Sequence, residues 1–135
     1  FEILQVVSQV LYNGKAGLID LDLNQQQKVL NSYGYPMGLA DYSAFILGGL
    51  PKQGQTLEEV KDLLLNEIKK LRAGEFDEKM LQANINNFKL YELQSMESNE
   101  GRADIFVNSF INGTNWEDEV TAIDRMAKLT KGLCR

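Results

Sequence analysis

Thr56-Leu57-Glu58-Glu59-Val60 opens a segment, running to Trp116, against which the rest of the chain is expected to pack. Its first four residues match a capping box, in which the Thr56 hydroxyl accepts from the Glu59 amide and the Glu59 carboxylate accepts from the Thr56 amide. The helix that follows has an apolar stripe formed by Leu57, Val60, Leu64, Ile68 and Leu71 and widened by Leu63 and Leu65. Charged residues, Glu67 and Lys70 among them, separate these positions, and Gly74 provides a C-terminal stop.

Three more helices are predicted to follow in series. Asp77 is the expected N-cap of the first, whose apolar face is formed by Leu81, Ile85, Phe88 and Met96. The next carries Ala103, Phe106, Val107, Phe110 and Ile111. A second capping-box pattern, Thr114 to Glu117, opens the last, which carries Val120, Ile123 and Ala127. Because the connections are short, the four helices are expected to form one continuous layer.

The N-terminal part of the chain is expected to begin with helical segments. Phe1 to Leu11 has apolar residues at helical spacing, and a small-residue loop, Gly14 to Gly17, follows it. Leu18 to Leu23 alternates as a strand would, yet the run of glutamines after it favours a helix, which is the interpretation we prefer.

Two strands are predicted next. Lys28 to Tyr35 alternates along its length, and Tyr42 to Leu47 is rich in aromatic and branched residues. Pro36 is expected to limit the first strand and to begin a turn that reaches Ala40, and Gly48-Gly49 to end or bulge the second. Two strands alone are marginal, so they need further strands or a helix layer over one face. The pattern predicts an α+β fold, with an antiparallel sheet and a layer of consecutive helices.

Composition narrows the possible functions. The chain has no histidine and a single cysteine, Cys134, which removes the commonest general base and makes a zinc site improbable. A net charge of -5 disfavours nucleic-acid binding, and no apolar run is long enough to span a membrane. The chain starts at Phe1 without a signal-peptide pattern, and we expect it to be a piece of a longer polypeptide.

Acidic clusters are the first patterns that could carry chemistry. Asp20 and Asp22 form a candidate carboxylate pair for acid–base catalysis. Glu97, Glu100 and Asp104 form a candidate site for a hard cation, although no calcium-type loop surrounds them. A solvated surface is the preferred interpretation of both groups.

The other short patterns are also interpreted as structural. Gly14-Lys15-Ala16-Gly17 lacks the ending of a phosphate-binding loop, and Asn112-Gly113-Thr114 matches the N-glycosylation pattern, which often arises by chance. An aromatic patch on the strands is more typical of packing than of peptide binding; its residues are Tyr33, Tyr35, Tyr42 and Phe45. A reactive thiol at Cys134 is disfavoured because no histidine is present to activate it. We therefore predict no catalytic, cofactor-binding or metal-ligating residue in this chain.

These residues, taken in order, resemble the second, non-catalytic half-domain of the pitrilysin/insulinase-like zinc metallopeptidases. The resemblance covers nearly the whole chain and rests on Gly14 to Gly17, Leu18, Gln27-Lys28-Val29, Phe45, Glu58-Glu59-Val60, Leu71, Gly74-Glu75-Phe76, Asp77, Leu81, Ala83, Asn86, Glu97-Ser98, Arg102-Ala103, Phe110 and Trp116. Each landmark is weak alone, and it is their order and spacing that favour the family.

The resemblance implies a fold, a parent protein and a role. Members of the family are built from repeated α+β half-domains that enclose a chamber, and the first half-domain binds zinc through a His-x-x-Glu-His helix and a distal Glu. Residues 1–135 would then be one half-domain that contacts its sister half-domains and, in places, a peptide substrate. Some family halves supply an Arg and a Tyr that hold substrate. The matching region, Leu18 to Tyr35, contains no Arg, so neither role is transferred.

Two other classes of function stay open. The parent could be a catalytically inactive relative that serves as a structural subunit, or the chain could be a free-standing α+β interaction domain. A free-standing domain predicts a monomer without a large exposed apolar patch, whereas a half-domain would expose one and tend to self-associate. The substrate and the compartment stay open, with the periplasm a guess from the resemblance for a bacterial source.

Overall fold

The computed structural model describes residues 2–39 and 41–134, without the side chains of residues 133 and 134. Its elements are α1 (Glu2–Leu11), a π-helical turn (Asp20–Asn24), β1 (Asn31–Gly38), β2 (Ser43–Leu50), α2 (Leu57–Ala73), α3 (Glu78–Glu97), α4 (Asn99–Asn112), α5 (Trp116–Val120), α6 (Ala122–Met126) and a 3₁₀ turn (Lys131–Cys134). The two described strands pair antiparallel in one sheet. The predicted α+β class is therefore confirmed. The predictions for Phe1, Ala40 and Arg135 lie outside the described residues.

The predicted ends of α2 and the start of α3 are confirmed. The Glu59 amide donates to the Thr56 hydroxyl (3.2 Å) and the Thr56 amide to the Glu59 carboxylate (2.8 Å), which completes the capping box. Gly74 ends α2 in the left-handed conformation with φ of 74°, which a residue with a Cβ rarely adopts. Asp77 caps α3 by accepting from the Lys79 amide at 2.9 Å.

The first helix was predicted, but its place at the centre of the core was not. Val6 and Val10 are fully buried, and Leu11 nearly so. α1 packs against β1, α2, α3, α6 and the 3₁₀ turn, so it links the sheet to the helices. The prediction that residues 56–116 form the element against which everything packs is wrong. The short first helix is apolar on more than one side, and that lets several elements bury surface on it.

The segment from Leu18 to Leu23 is helical, as preferred from the sequence, and it continues into the π-helical turn. Ile19 and Leu23 lie one turn apart and are both fully buried. Leu21 lies between them and is apolar, which gives the sequence the alternation of a strand, but in the structure it faces outward.

Both strands end later than predicted, and they also begin later, β1 at Asn31 rather than Lys28 and β2 at Ser43 rather than Tyr42. β1 continues through Pro36 to Gly38, and Pro36 pairs with Phe45. The Leu39 amide donates to the Tyr42 carbonyl at 3.0 Å, and because hydrogen-bonded and non-bonded pairs alternate along an antiparallel ladder, the missing N–H of Pro36 would point away from β2. Proline is tolerated at such an edge position. The prediction that Pro36 begins the turn is therefore wrong.

Gly48 and Gly49 do not end β2, which runs to Leu50. A Cβ at Gly48 would lie 2.3 Å from the Tyr33 ring, and one at Gly49 would lie 2.5 Å from a Val60 methyl group. Because these two glycines have no side chain, the Tyr33 ring can approach one face of the strand closely and α2 can approach the other.

Two predicted helical faces differ from the observed ones. On α2, Leu57 and Leu65 are exposed, while Glu67, expected among the polar positions, is buried. The last predicted helix divides into α5 and α6 at Thr121, whose hydroxyl donates to the Glu117 carbonyl at 2.7 Å. Such side-chain bonds compete with the helical ladder.

The predicted second capping box is absent. Asn115, not Thr114, is the N-cap residue of α5, and its side chain makes no capping bond. The Thr114 hydroxyl instead lies 3.2 Å from the Ser109 hydroxyl and donates to the Glu119 carboxylate at 2.5 Å. The Thr114 side chain therefore links α4 to α5 instead of capping α5.

Candidate functional site

One side of α4 is an exposed apolar surface, which we call the α4 apolar face: Phe106, Val107, Phe110 and Ile111. Ser98 begins the helix by accepting from the Gly101 amide at 2.9 Å, and Gly113 ends it in the left-handed conformation. Phe110 is 88% exposed. The expected apolar stripe of this helix is present, but the only fully buried residue of α4 is Ser109. Exposed apolar surface of this kind is typical of an interface.

Trp116 extends this face from α5. Its ring stacks on Phe106 with centroids 4.2 Å apart and an interplanar angle of 15°. On α3, Leu90, Tyr91 and Leu93 are exposed as well. The aromatic pair stiffens one end of the face, since the two rings fix each other's orientation.

A second apolar surface is the outer face of the β1–β2 hairpin. Tyr33, Tyr35 and Met37 point away from the core, and the Tyr33 and Tyr35 rings stack at 6.2 Å. The core side of β1 carries Ser32 and Gly34 instead. The prediction of packing is confirmed for Phe45, which packs against the core, and for Tyr33, whose ring lies over Gly48 of the neighbouring strand, whereas Tyr42 is 68% exposed.

A charged cluster joins the π-helical turn to α2. Lys70 donates from Nζ to Asp22 Oδ2 at 2.7 Å and to Glu67 Oε1 at 2.9 Å. Glu67 is 1% exposed, and its second oxygen has no hydrogen-bond partner in the described structure. One lysine thus serves two carboxyl groups, of which one is buried and only partly satisfied.

The pKa values of the two carboxyl groups are shifted in opposite directions. Burial raises the pKa of Glu67 above its ordinary value, against the lowering effect of the Lys70 hydrogen bond. Burial also acts to raise the pKa of Asp22, but the hydrogen bond and charge of Lys70 outweigh it and the pKa is lowered. As the pH falls, Glu67 therefore takes up a proton before Asp22 does.

Replacing Glu67 by glutamine is expected to raise stability increasingly as the pH increases. The raised pKa means that Glu67 stabilises the fold fully below its unfolded pKa, near 4.5, and loses this contribution as pH rises through its folded pKa. Because Gln does not titrate, the variant is expected to gain on the wild type by at most about 1.4 kcal/mol per pH unit in that window. Urea unfolding from pH 4 to 8 measures this, with exposed Glu75→Gln as control. A difference that stays constant with pH would contradict it.

The carboxylate pair proposed from sequence does not form. Asp20 is buried and accepts from the Asn13 amide (2.9 Å) and the Gly17 amide (3.0 Å), whereas Asp22 faces Lys70. Each carboxylate therefore has a structural partner of its own.

The backbone amides of the glycine-rich loop, Gly14 to Gly17, donate to side chains of this same chain. The Lys15 and Ala16 amides both donate to the Asn13 side-chain oxygen, at 3.0 and 2.9 Å, and the Gly17 amide is taken by Asp20. These are the groups that would cradle a phosphate. The geometry does not favour a nucleotide there.

The remaining sequence patterns are the acidic group of α3 and α4, the glycosylation pattern at Asn112 and the thiol of Cys134. In the part of the chain that the structure describes, no three or more Cys, Asp or Glu side chains cluster as metal ligands, Glu97, Glu100 and Asp104 included. Asn112 ends α4, and the Cys134 side chain lies outside the described residues. Among the described helices, none has the length and hydropathy needed to cross a membrane.

A cavity of about 260 Å³ lies where α3 meets α5 and α6, lined in part by Phe88, Met96 and Ile123 with Glu92 in its wall. Burial raises the pKa of Glu92, and the negative charge of Asp124 adds to the effect. Glu119, the other acid in the wall, is held by the Thr114 hydroxyl. The cavity therefore places one carboxyl group with a raised pKa, that of Glu92, among apolar side chains.

No family model matches the chain, and no curated protein matches it in sequence. Among solved structures it is similar to a protease from Helicobacter pylori, with a TM-score of 0.85 and 19% sequence identity. The two share this fold. The match covers 98% of this chain and 32% of the protease, so the chain spans about a third of that protein's length.

Two ionic contacts between distant parts of the chain were not predicted from the sequence. Lys70 and Glu67 are three residues apart on α2, which indicates a pair, but nothing local shows that Asp22 joins them. The ion pair of Arg125 with Glu2, with Nε 3.0 Å from both carboxylate oxygens, likewise joins distant parts of the chain. Both contacts depend on tertiary packing around α1 and the π-helical turn.

Proposed function

We propose that this chain is a non-catalytic half-domain of a longer zinc-dependent peptidase of the pitrilysin/insulinase-like type. In this role it supplies one wall of the peptide-enclosing chamber and no catalytic group. The observation that carries the proposal is the fold, which is shared over 98% of the chain with one third of a larger protease. If the chain is a half-domain, nearly all of it should match only a part of a larger protein, as it does here.

The exposed apolar surfaces support the same role. The α4 apolar face, extended by Trp116, would be costly for a free-standing domain to leave in water, because apolar surface costs about 25 cal/mol per Å² when exposed. A sister half-domain packed on it removes that cost. The outer face of the hairpin, with its Tyr33–Tyr35 stack, would be the surface turned toward the peptide.

Zinc itself does not fit the donors of this chain. The sequence has no histidine, and among the described residues no three carboxylates lie close enough together to bind one metal ion. The metal would lie in another half-domain of the parent, where it would activate the water that attacks the peptide bond. The residues described here would position that half-domain and exclude water.

The test is the reading frame that contains this chain. The proposal expects a His-x-x-Glu-His helix in the half-domain that precedes Phe1. A parent with the same half-domain organisation but without that motif would instead be a structural subunit, and the peptidase proposal would be wrong.

The chain by itself is expected to self-associate through the α4 apolar face. Light scattering over a concentration series should show a mass that rises above the monomer, and Phe110→Asp should return it to the monomer because a charge cannot be buried there cheaply. Tyr42→Asp, which replaces another exposed aromatic residue at the hairpin end, is the control. A wild type that stays monomeric at all concentrations would favour a free-standing domain.

A further inference from the structure

A second cavity, of about 280 Å³, opens between α1 and α3. Three side-chain amides border it, those of Gln9, Asn84 and Asn87, together with the rings of Phe88 and Tyr91. Asn84 is 3% exposed, and its Nδ2 has no hydrogen-bond partner in the described structure. A buried amide donor without a partner is costly to a fold. A ligand that brings an acceptor oxygen into this cavity would satisfy it.

This cavity continues into the one that contains Glu92, since Phe88 borders both. Along α3 the lining runs from Asn84 through Phe88 to Glu92, while along α1 it runs back from Gln9 to Gln5. The two helices therefore run in opposite directions here, and the two cavities form one groove, which we call the α1–α3 groove. Asn84 and Glu92 are eight residues apart on α3, which places them about 12 Å apart along the helix axis.

The Glu92 end of the α1–α3 groove is negatively charged. Glu119 borders the same end, and burial, with the charge of Asp124 after it, raises the pKa of Glu92. Among the described residues, no lysine or arginine lies within ion-pair distance of Glu92, and none borders either cavity. A cation bound at this end would therefore be attracted by carboxylates that have no other counterion.

We propose that the α1–α3 groove binds an N-acylated diamine, a small molecule with an amide at one end, an ammonium group at the other and an aliphatic chain between them. The amide carbonyl accepts from Asn84 Nδ2, the chain lies against Phe88, and the ammonium group pairs with Glu92. The side-chain oxygen of Gln9 or Asn87 accepts the amide N–H of the ligand. This inference stands apart from the proposed function, because it needs no peptidase.

Other small molecules would satisfy only part of the groove. A simple alkylamine would pair with Glu92 but leave Asn84 Nδ2 without an acceptor, and a neutral amide would leave Glu92 without a counterion. An anion would face the acidic end with no cation beside it, which is unfavourable. Between the two ends the wall is apolar, with Phe88 and Met96 from α3 and Ile123 from α6, and this suits methylene groups.

The probe is N-acetylcadaverine, titrated against the chain and followed by ligand-observed NMR. Two matched ligands each lack one end: N-pentylacetamide has no ammonium group, and pentylamine has no amide. We expect the probe to bind with a dissociation constant below about 1 mM. Each matched ligand should bind at least about tenfold more weakly, because it loses a hydrogen bond to a buried or charged group. No binding of the probe, or equal affinities for all three molecules, would overturn the proposal.

Asn84→Leu separates binding from folding. The variant removes the amide donor and keeps a side chain of similar size, so the probe should bind at least about tenfold more weakly while the melting temperature holds or rises. Asn86→Leu, exposed on the same helix and outside both cavities, is the control and should bind like the wild type. A lower melting temperature in Asn84→Leu would show that the amide is already satisfied, and would count against the proposal.

Glu92→Gln tests the other end of the groove. We expect it to weaken binding of the probe about tenfold and to leave binding of N-pentylacetamide unchanged, because only the probe carries a charge. Glu97→Gln, exposed near the end of the same helix, is the control. An unchanged affinity for the probe in Glu92→Gln would overturn the proposal. None of these results bears on whether the parent is a peptidase.

Discussion

Lys70→Met is expected to lower the free energy of unfolding by about 2–3 kcal/mol at neutral pH. Lys70 is the cation that both Asp22 and Glu67 contact, at 2.7 and 2.9 Å. Without it, a buried carboxyl and a half-buried one face each other with no counterion. Removing one partner of a fully buried pair costs about 3–5 kcal/mol. We expect less here because water still reaches Lys70 and Asp22.

The same variant is expected to be largely rescued by a second change. In the Glu67→Gln background, Lys70→Met should cost about 1 kcal/mol, because only Asp22 then lacks its partner. The double-mutant cycle by urea unfolding measures this coupling. Lys69→Met, one residue away and exposed, is the control and should change stability little. Equal costs in both backgrounds would mean that Glu67 and Lys70 are not coupled.

Gly101→Ala is expected to destabilise the fold by about 2 kcal/mol, the reverse of the usual effect in a helix. Gly101 lies in the first turn of α4, where alanine would ordinarily gain about 1 kcal/mol. Here the added Cβ would lie 2.1 Å from the Ser95 carbonyl oxygen at the end of α3. Backbone cannot rotate out of the way as a side chain can, so the α3–α4 junction must open.

Because that junction sets the direction of α4, the variant should also change the α4 apolar face. We expect Gly101→Ala to reduce self-association as well as the melting temperature, measured by light scattering and by circular dichroism. Asp104→Ala, one turn further and exposed, is the control. A melting temperature that rises in Gly101→Ala would show that the two helices meet less closely than described.

Local signals in the sequence predict much of this fold. The capping residues Thr56 and Asp77 and the stop at Gly74 are formed by groups within four residues of one another, and all three are confirmed. The helical preference for Leu18 to Leu23 also holds. These features depend on neighbouring residues, so the sequence displays them directly.

Features that depend on distant residues were not predictable in this way. Glu67 looks like a surface residue until Asp22 and Lys70 meet beside it. Pro36 looks like a strand end because nothing local shows that its missing N–H would face away from β2. Phe110 belongs to an apolar stripe, and periodicity does not reveal that no described element covers it.

The candidate site was predictable only in part. The sequence shows the apolar residues of α4 and the aromatic residues of β1, but not which of them point outward. Tyr33 and Tyr35 are exposed because Ser32 and Gly34 take the core-facing positions in the alternation of β1. The hydrogen bonds between the Asn24 side chain and the backbone of Ser32 have no local signal.

The central claim, that this chain is one wall of a zinc peptidase, is tested most directly by peptide cleavage in the full reading frame that contains it. The purified product is assayed with a quenched fluorescent peptide, with and without a chelator, and again after zinc is restored. We expect cleavage that the chelator abolishes and zinc restores, and that Phe110→Asp weakens. Cleavage that survives complete metal removal, or no cleavage by a folded product, would contradict the claim.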